Sequence, residues 1–196
     1  YPVIMVISGP SGVGKDTIAR RLIERRPDSF YFVVTATTRK PRADEVDGVD
    51  YFFVSMDEFA RMIDENQLLE YAVVYADHKG VPKQQIREAL ASGGDVIMRV
   101  DVQGAETIRK LLPGALFVYL SVDSEESLVR RLRARRSESD ADLKLRIATA
   151  RKEIQHVDEF DFYVVNHEGA QEDAVDTLLA IIDAEHHRVN RKLIAL

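Results

Sequence analysis

Gly9-Pro10-Ser11-Gly12-Val13-Gly14-Lys15-Asp16 follows directly on the apolar run Val3-Ile4-Met5-Val6-Ile7. A buried strand, a glycine-rich turn and a helical pattern through Ile18, Leu22 and Ile23, in that order, describe a phosphate-binding loop. The glycines let backbone N–H groups turn inward and cradle phosphate oxygens. Lys15 supplies a point charge, and the helix opening beside it adds the positive end of its dipole. The ligand class is therefore a nucleoside triphosphate or something built like one. One position departs from the usual pattern. The residue after the lysine is Asp16 rather than a hydroxyl residue, with Thr17 one place later.

Around that loop, 196 residues with 45% hydrophobic content suit one domain with a full core. There is no cysteine, hence no disulfide, thiolate metal site or thiol nucleophile. No apolar run reaches the length of a membrane span. A net charge of −6 and a pI near 5.4 argue against a nucleic-acid binder. The cations are unevenly placed, in one cluster at Arg39, Lys40 and Arg42 and another at Arg130, Arg131, Arg133, Arg135 and Arg136. That pattern suits a small anion handled at a defined place, although a solvated helix face accounts equally for part of the second cluster.

Strand-like runs at 3–7, 31–37, 51–54, 68–76, 96–100, 115–120 and 162–165 alternate with helical ones. The helical runs begin near Lys15, Ser55, Pro82, Ala105, Ser124 and Ala170. Ser55 with Glu58 is a capping box. Alternation of this kind implies an α/β fold: a mostly parallel sheet flanked by helices, a P-loop NTPase. The stretch 35–92 breaks the pattern with a hairpin-like, mixed segment and reads as an inserted lobe. Residues 136–156 are polar, without a strong apolar stripe, and read as a mobile lid. The core is then 1–34, 93–135 and 157–196.

Thr35-Ala-Thr-Thr-Arg-Lys-Pro-Arg42, Asp47-Gly-Val-Asp-Tyr-Phe-Phe-Val54, Leu68-Leu-Glu-Tyr-Ala72 and Val100-Asp-Val-Gln-Gly-Ala105 follow one another at spacings that resemble guanylate kinases. Arg131-Leu-Arg-Ala-Arg-Arg-Ser-Glu138 and Phe162-Tyr-Val-Val-Asn166 extend the likeness over essentially the whole chain. Gly14-Lys15-Asp16 and the His78–Ile86 stretch look like the plant organellar branch, which implies a plastid or mitochondrion, with a cytoplasmic location as the alternative.

The resemblance implies ATP-dependent phosphorylation of GMP, and of dGMP, to GDP, with Mg²⁺, by a monomer or homodimer. Nucleic acid and membrane play no part. ATP would lie on Gly9, Pro10, Ser11, Gly12, Val13, Gly14, Lys15, Asp16 and Thr17, with Arg131 and Asn166. Asp16 and Thr17 are the candidate metal ligands. Thr35, Arg39, Arg42, Tyr51, Glu70, Lys79 and Asp101 would bind GMP, and Lys15, Arg39, Arg135 and Arg146 would act on the migrating phosphoryl group.

The chemistry of these side chains agrees. Arg39 and Arg42, with Pro41 stiffening the segment, can present two planar forks to one phosphate, and Tyr51 can add a hydroxyl donor. Guanine shows a ring N–H and an exocyclic amine on one edge, both donors, so a site that reads it needs acceptors such as Glu70 and Asp101. Without the family match, a strand-edge salt bridge for Glu70 and a strand-end cap for Asp101 would fit as well. The attacking group is already a phosphate oxygen, so no general base is required.

Two further departures stand out. Lys79-Gly80-Val81 occupies a place where the family commonly has Tyr-Gly-Thr or Tyr-Gly-Ser. Val81 cannot hydrogen-bond the base, so weaker base reading is expected, and Lys79 offers a charge in place of a phenol. Arg99 stands where an acidic residue is common, and no role follows for it from the sequence. The rival activities are a ribose-bisphosphate phosphokinase, which shares the fold and often carries Gly-Lys-Asp, and a non-catalytic guanylate kinase-like binding module, which typically lacks the phosphate loop.

Overall fold

The computed structural model describes residues 1–134, 139–191 and 194. Its main sheet has the order β2-β7-β1-β8-β9, built from β1 (Ile4–Ser8), β2 (Phe30–Phe32), β7 (Asp95–Arg99), β8 (Leu116–Ser121) and β9 (Phe162–Val165). Every neighbour pair in it is parallel. β1 and β8 are buried along their whole length, which explains why their sequences read as unbroken apolar runs.

Helices cover both faces. α1 (Lys15–Arg25) and α7 (Gln171–His186) pack on one face, with Ile18, Leu22, Leu178 and Ile182 meeting Met5, Ile7, Val118 and Leu120. α3 (Lys83–Ser92) and α4 (Val102–Leu111) pack on the other, with Ile86 and Ile108 against Ile4, Val6 and Met98. The carboxyl ends of β1 and β7 open onto one crevice, the place where open α/β sheets receive ligands.

A second, four-stranded sheet has the order β4-β3-β6-β5, from β3 (Thr35–Thr37), β4 (Tyr51–Phe53), β5 (Leu68–Val74) and β6 (Asp77–Pro82). α2 (Met56–Asp64) closes it over Ala36, Phe59 and Leu68, and both halves of the Ser55/Glu58 capping box are formed. This sheet lies within the stretch set apart as an inserted lobe.

Three local readings change. The run 31–37 is two strands in different sheets. Val33 N–H donates to the Ile97 carbonyl and Val34 N–H to Gln85 Oε1, so the chain leaves the main sheet there. β6 was not expected, because Asp77-His78-Lys79-Gly80 has low strand propensity. It forms a hairpin with β5 through Tyr75 and Ala76, both at positive φ (52° and 68°). Such tight turns usually carry Asn-Gly or Asp-Gly, and their absence hid the hairpin. Finally, α6 (Asp140–Glu153) does carry a short apolar stripe. Leu143, Ile147 and Ala150 rest on the α1/α7 core, while charged residues and the exposed Leu145 lie on the other sides of the helix.

Candidate active site

The phosphate loop runs from the end of β1 into α1. Gly9 has φ +135°, and a Cβ there would lie 2.1 Å from the Leu120 carbonyl oxygen. Gly14 caps α1 at φ +96°, and its Cβ would lie 2.6 Å from Asn166 Nδ2. No side chain fits at either place, so glycine is a steric requirement. Asn166 Nδ2 and Arg131 Nη1 both donate to the Val13 carbonyl, at 2.8 and 3.2 Å, and Arg131 Nη2 donates to the Asn166 carbonyl at 2.7 Å. Those two residues therefore brace the loop from behind. Arg130 and Arg133 lie at the surface.

Inside the loop, Lys15 Nζ donates to the Gly9 and Pro10 carbonyls at 2.5 and 2.9 Å. Burial lowers its pKa, against the opposing pull of Asp101. Arg146, on α6, donates to Ser11 Oγ at 2.7 Å and stacks on the Tyr75 ring at 4.2 Å. Ser11, Gly12, Gly14, Lys15, Asp16, Thr17, Arg39, Arg42, Tyr51, Lys79, Asp101 and Arg146 all line one cleft. Sequence positions more than 130 apart thus converge on one cleft.

Next to that cleft is a small cavity bounded by Thr35, Tyr51, Glu70, Lys79, Arg99 and Asp101 among others. Glu70 is 6% exposed, and its Oε2 is buried with no hydrogen-bond partner among the described residues. Burial first, and the neighbouring Asp101 second, push its pKa up to about 7. Among the described residues Glu70 makes no strand-edge salt bridge. Asp101 is the N-cap residue of α4, yet its side chain makes no capping bond. It accepts instead from Lys79 Nζ at 3.1 Å, with Lys15 at 4.0 Å. Burial pushes the Asp101 pKa up, but Lys79 and Lys15 outweigh it and hold the carboxyl below its usual range. Lys79 is therefore held by a carboxylate in this form. Val81 is fully buried in the core on the α3/α4 side and does not face the cavity.

The guanylate kinase family model matches residues 1–185. The chain belongs to the guanylate kinase family. It is 51% identical over 194 residues to guanylate kinase 2, chloroplastic/mitochondrial, of Oryza sativa subsp. japonica, covering 98% of this chain and 68% of that one. It is 41% identical to a guanylate kinase of Lactobacillus johnsonii, over 96% of this chain and 92% of the relative. Among solved structures it superposes on guanylate kinase from Anaplasma phagocytophilum with a TM-score of 0.80 and 28% identity, covering 97% and 89% of the two chains. The SH3-kinase fragment of tight junction protein 3 shares the fold alone, at 15% identity and a TM-score of 0.53, covering 95% and 58%.

For a guanylate kinase, three residues of this site went unassigned in the sequence. Glu45 holds both Arg39 and Arg42: Arg39 Nη2 donates to its Oε1 at 2.8 Å, the Arg42 backbone N–H to its Oε2 at 2.7 Å, and Arg42 Nη1 lies 3.7 Å from Oε1. Burial raises its pKa, but these bonds win and depress it. Its spacing of three and six from the arginines was the available signal. Replacing Glu45 by Gln should loosen both forks and raise the KM for GMP about fivefold with little change in kcat, since preorganisation rather than charge on the reacting group is lost. An unchanged KM in steady-state assays would contradict this. Glu153, at the end of α6, has a buried Oε2 with no hydrogen-bond partner among the described residues, and burial raises its pKa to about 7. Arg99 is the third. Arg135 lies outside the described residues.

Proposed function

We propose that this guanylate kinase moves the γ-phosphoryl group of ATP to the phosphate of GMP, giving ADP and GDP, with Glu70 and Asp101 selecting guanine. One observation carries the selectivity: a buried carboxylate, Glu70, faces the acceptor cavity with an oxygen that no described residue satisfies. Such an atom costs free energy unless a ligand meets it. Guanine brings two donors to one edge, and adenine does not. dGMP carries the same edge and belongs to the same acceptor class.

The reaction asks for positioning and charge more than covalent chemistry from the protein. The bond from the γ-phosphorus to the bridging oxygen of ADP breaks while the bond to a GMP phosphate oxygen forms. Arg39, Arg42 and Tyr51 hold the acceptor phosphate, with Lys79 close by. The loop N–H groups and Lys15 hold the donor. Arg146, already on Ser11, brings α6 over the loop as a lid. We assign residues 136–156 to that lid, 35–92 to the GMP lobe and the remainder to the core. Arg131 and Asn166, fixed behind the loop, would form the support for the donor base.

Asp16 and Thr17 line the phosphate cleft and offer hard oxygen donors, which suits an ion held by one carboxylate and substrate phosphates. Mg²⁺ bound there would neutralise charge on the transferring group. An Asp16→Ser variant should shift the Mg²⁺ dependence of turnover, and an unchanged dependence would remove Asp16 as a ligand.

The organellar compartment in the name of the 51% identical relative favours a plastid or mitochondrion over the cytoplasmic alternative. No helix among the described residues is long and apolar enough to cross a membrane.

ADP formation from ATP and Mg²⁺ should occur with GMP and dGMP and be slow with AMP or UMP. Turnover confined to a ribose bisphosphate would move the assignment to the rival kinase. Tight GMP binding without turnover would favour the binding-module reading.

A further inference from the structure

Arg99 ends β7 with its side chain 4% exposed, between the donor loop and the acceptor lobe. Its Nη1 donates to Asp16 Oδ1 at 2.7 Å, in the first turn of α1. Its Nη2 donates to the Asp50 carbonyl, just before β4. Its Cζ lies 4.0 Å from the centre of the Tyr51 ring, and the Phe32 ring lies beyond at 5.2 Å. Asp50 is fixed from a second side, because Arg20 of α1 donates to its Oδ1 at 2.9 Å. One planar group thus touches the element carrying the donor loop and the residue that offers a hydroxyl to the acceptor phosphate.

We infer that Arg99 is a positioning residue that couples the two phosphate sites, setting Tyr51 and the acceptor pocket according to how Asp16 is held. The inference rests on the reading that Tyr51 helps hold the GMP phosphate. A lysine cannot replace the arginine, because the three contacts need a fork with two N–H directions and a flat face. The ion pair also explains how Asp16 is tolerated beside phosphates. Burial alone would raise the Asp16 pKa, yet the adjacent Arg99 guanidinium, with Lys15, holds it low and offsets the charge. Asp16 lines the phosphate cleft but not the base-reading cavity, so its direct effect on the GMP phosphate is repulsion, and removing the carboxylate would by itself tighten GMP; a loss of affinity in Asp16→Ala is therefore the mark of coupling through Arg99.

The test is GMP binding by calorimetry, with neither ATP nor Mg²⁺, on the wild type, Asp16→Ala, Arg99→Lys, the double variant and Tyr51→Phe. Thermal melts confirm that each is folded. Coupled sites predict that Asp16→Ala and Arg99→Lys each weaken GMP about tenfold, and that the double variant is no worse than about tenfold because both break one connection. Should Asp16→Ala not fold, the isosteric Asp16→Asn gives the same comparison, with a loss of about threefold. A purely structural Arg99 would lower melting temperatures and leave GMP affinity within about twofold in the Asp16 variants, which overturns the inference. Multiplying losses in the double variant overturn it as well. If Tyr51→Phe binds GMP like the wild type, the underlying site reading fails instead. If Tyr51→Phe weakens GMP and the Asp16 variants do not, only the coupling fails.

Discussion

Glu70→Gln should lower kcat/KM for GMP by about 10²-fold and raise acceptance of AMP, so that selectivity for guanine over adenine falls by about 10³-fold. Each charge-assisted hydrogen bond from guanine to a carboxylate contributes about 1.5–3 kcal/mol, and the variant replaces an acceptor by an amide that also donates. That donor opposes the guanine edge and suits the ring nitrogen of adenine. The same variant should be more stable than the wild type when no nucleotide is bound. The Glu70 pKa in the fold, about 7, lies above the ordinary carboxylate value of 4.5. A raised pKa means that its contribution to stability is full below about pH 4.5 and is lost as pH climbs through about 7. Glutamine escapes that loss. Melts should therefore coincide near pH 4 and separate by about 3 kcal/mol in favour of the variant at pH 8. Equal stability at both pH values, with selectivity intact, would show that Glu70 is neither strained nor a reader of the base.

Lys15→Met should lower kcat by about 10³-fold, the scale expected when one preorganised charge on the transferring group is removed. Among the described residues Lys15 donates hydrogen bonds only to carbonyls of its own loop, and Asp101 keeps Lys79 as a partner when Lys15 is gone. The fold and GMP binding should thus survive, and the loss should fall on kcat and on ATP. Lys15→Arg should not rescue, because the cleft receives a compact ammonium rather than a wide fork. A melting temperature many degrees lower, with GMP affinity lost in parallel, would mean that the lysine is a structural strut. A kcat within about tenfold of the wild type would place the phosphoryl-stabilising charge elsewhere.

The main sheet was legible because β1, β7 and β8 are buried over nearly their whole length and each has an unbroken apolar run at its centre. The phosphate loop was legible because glycine at positions 9 and 14 is dictated by contacts with Leu120 and Asn166, and such constraints leave a spaced pattern. The small sheet was less so. Its hairpin turns at Tyr75-Ala76 without the usual turn residues, and Asp77 and Lys79 of β6 are polar where they line the phosphate-loop cleft. Function there overrode local propensity.

At the site, the residues proposed to meet ligands were named through the family resemblance. Residues that hold those residues were not. Glu45 looks like one more acid in a loop, and Arg99 like a charge at a strand end. Their roles depend on partners 6 and 83 positions away, visible only after folding. Asp101 and Glu70 admitted bland explanations until the absence of a capping bond and of a hydrogen-bond partner was seen.

The most direct test of the account is a carboxyl-carbon NMR titration of Glu70, assigned by its disappearance in Glu70→Gln, without ligand, with GMP and with AMP. The account predicts a midpoint near 7 in the free protein, a large downward shift when GMP is bound, and no such shift with AMP. A midpoint in the ordinary carboxylate range, or one that GMP and AMP move equally, would contradict the claim that a buried, unsatisfied carboxylate makes this protein select guanine.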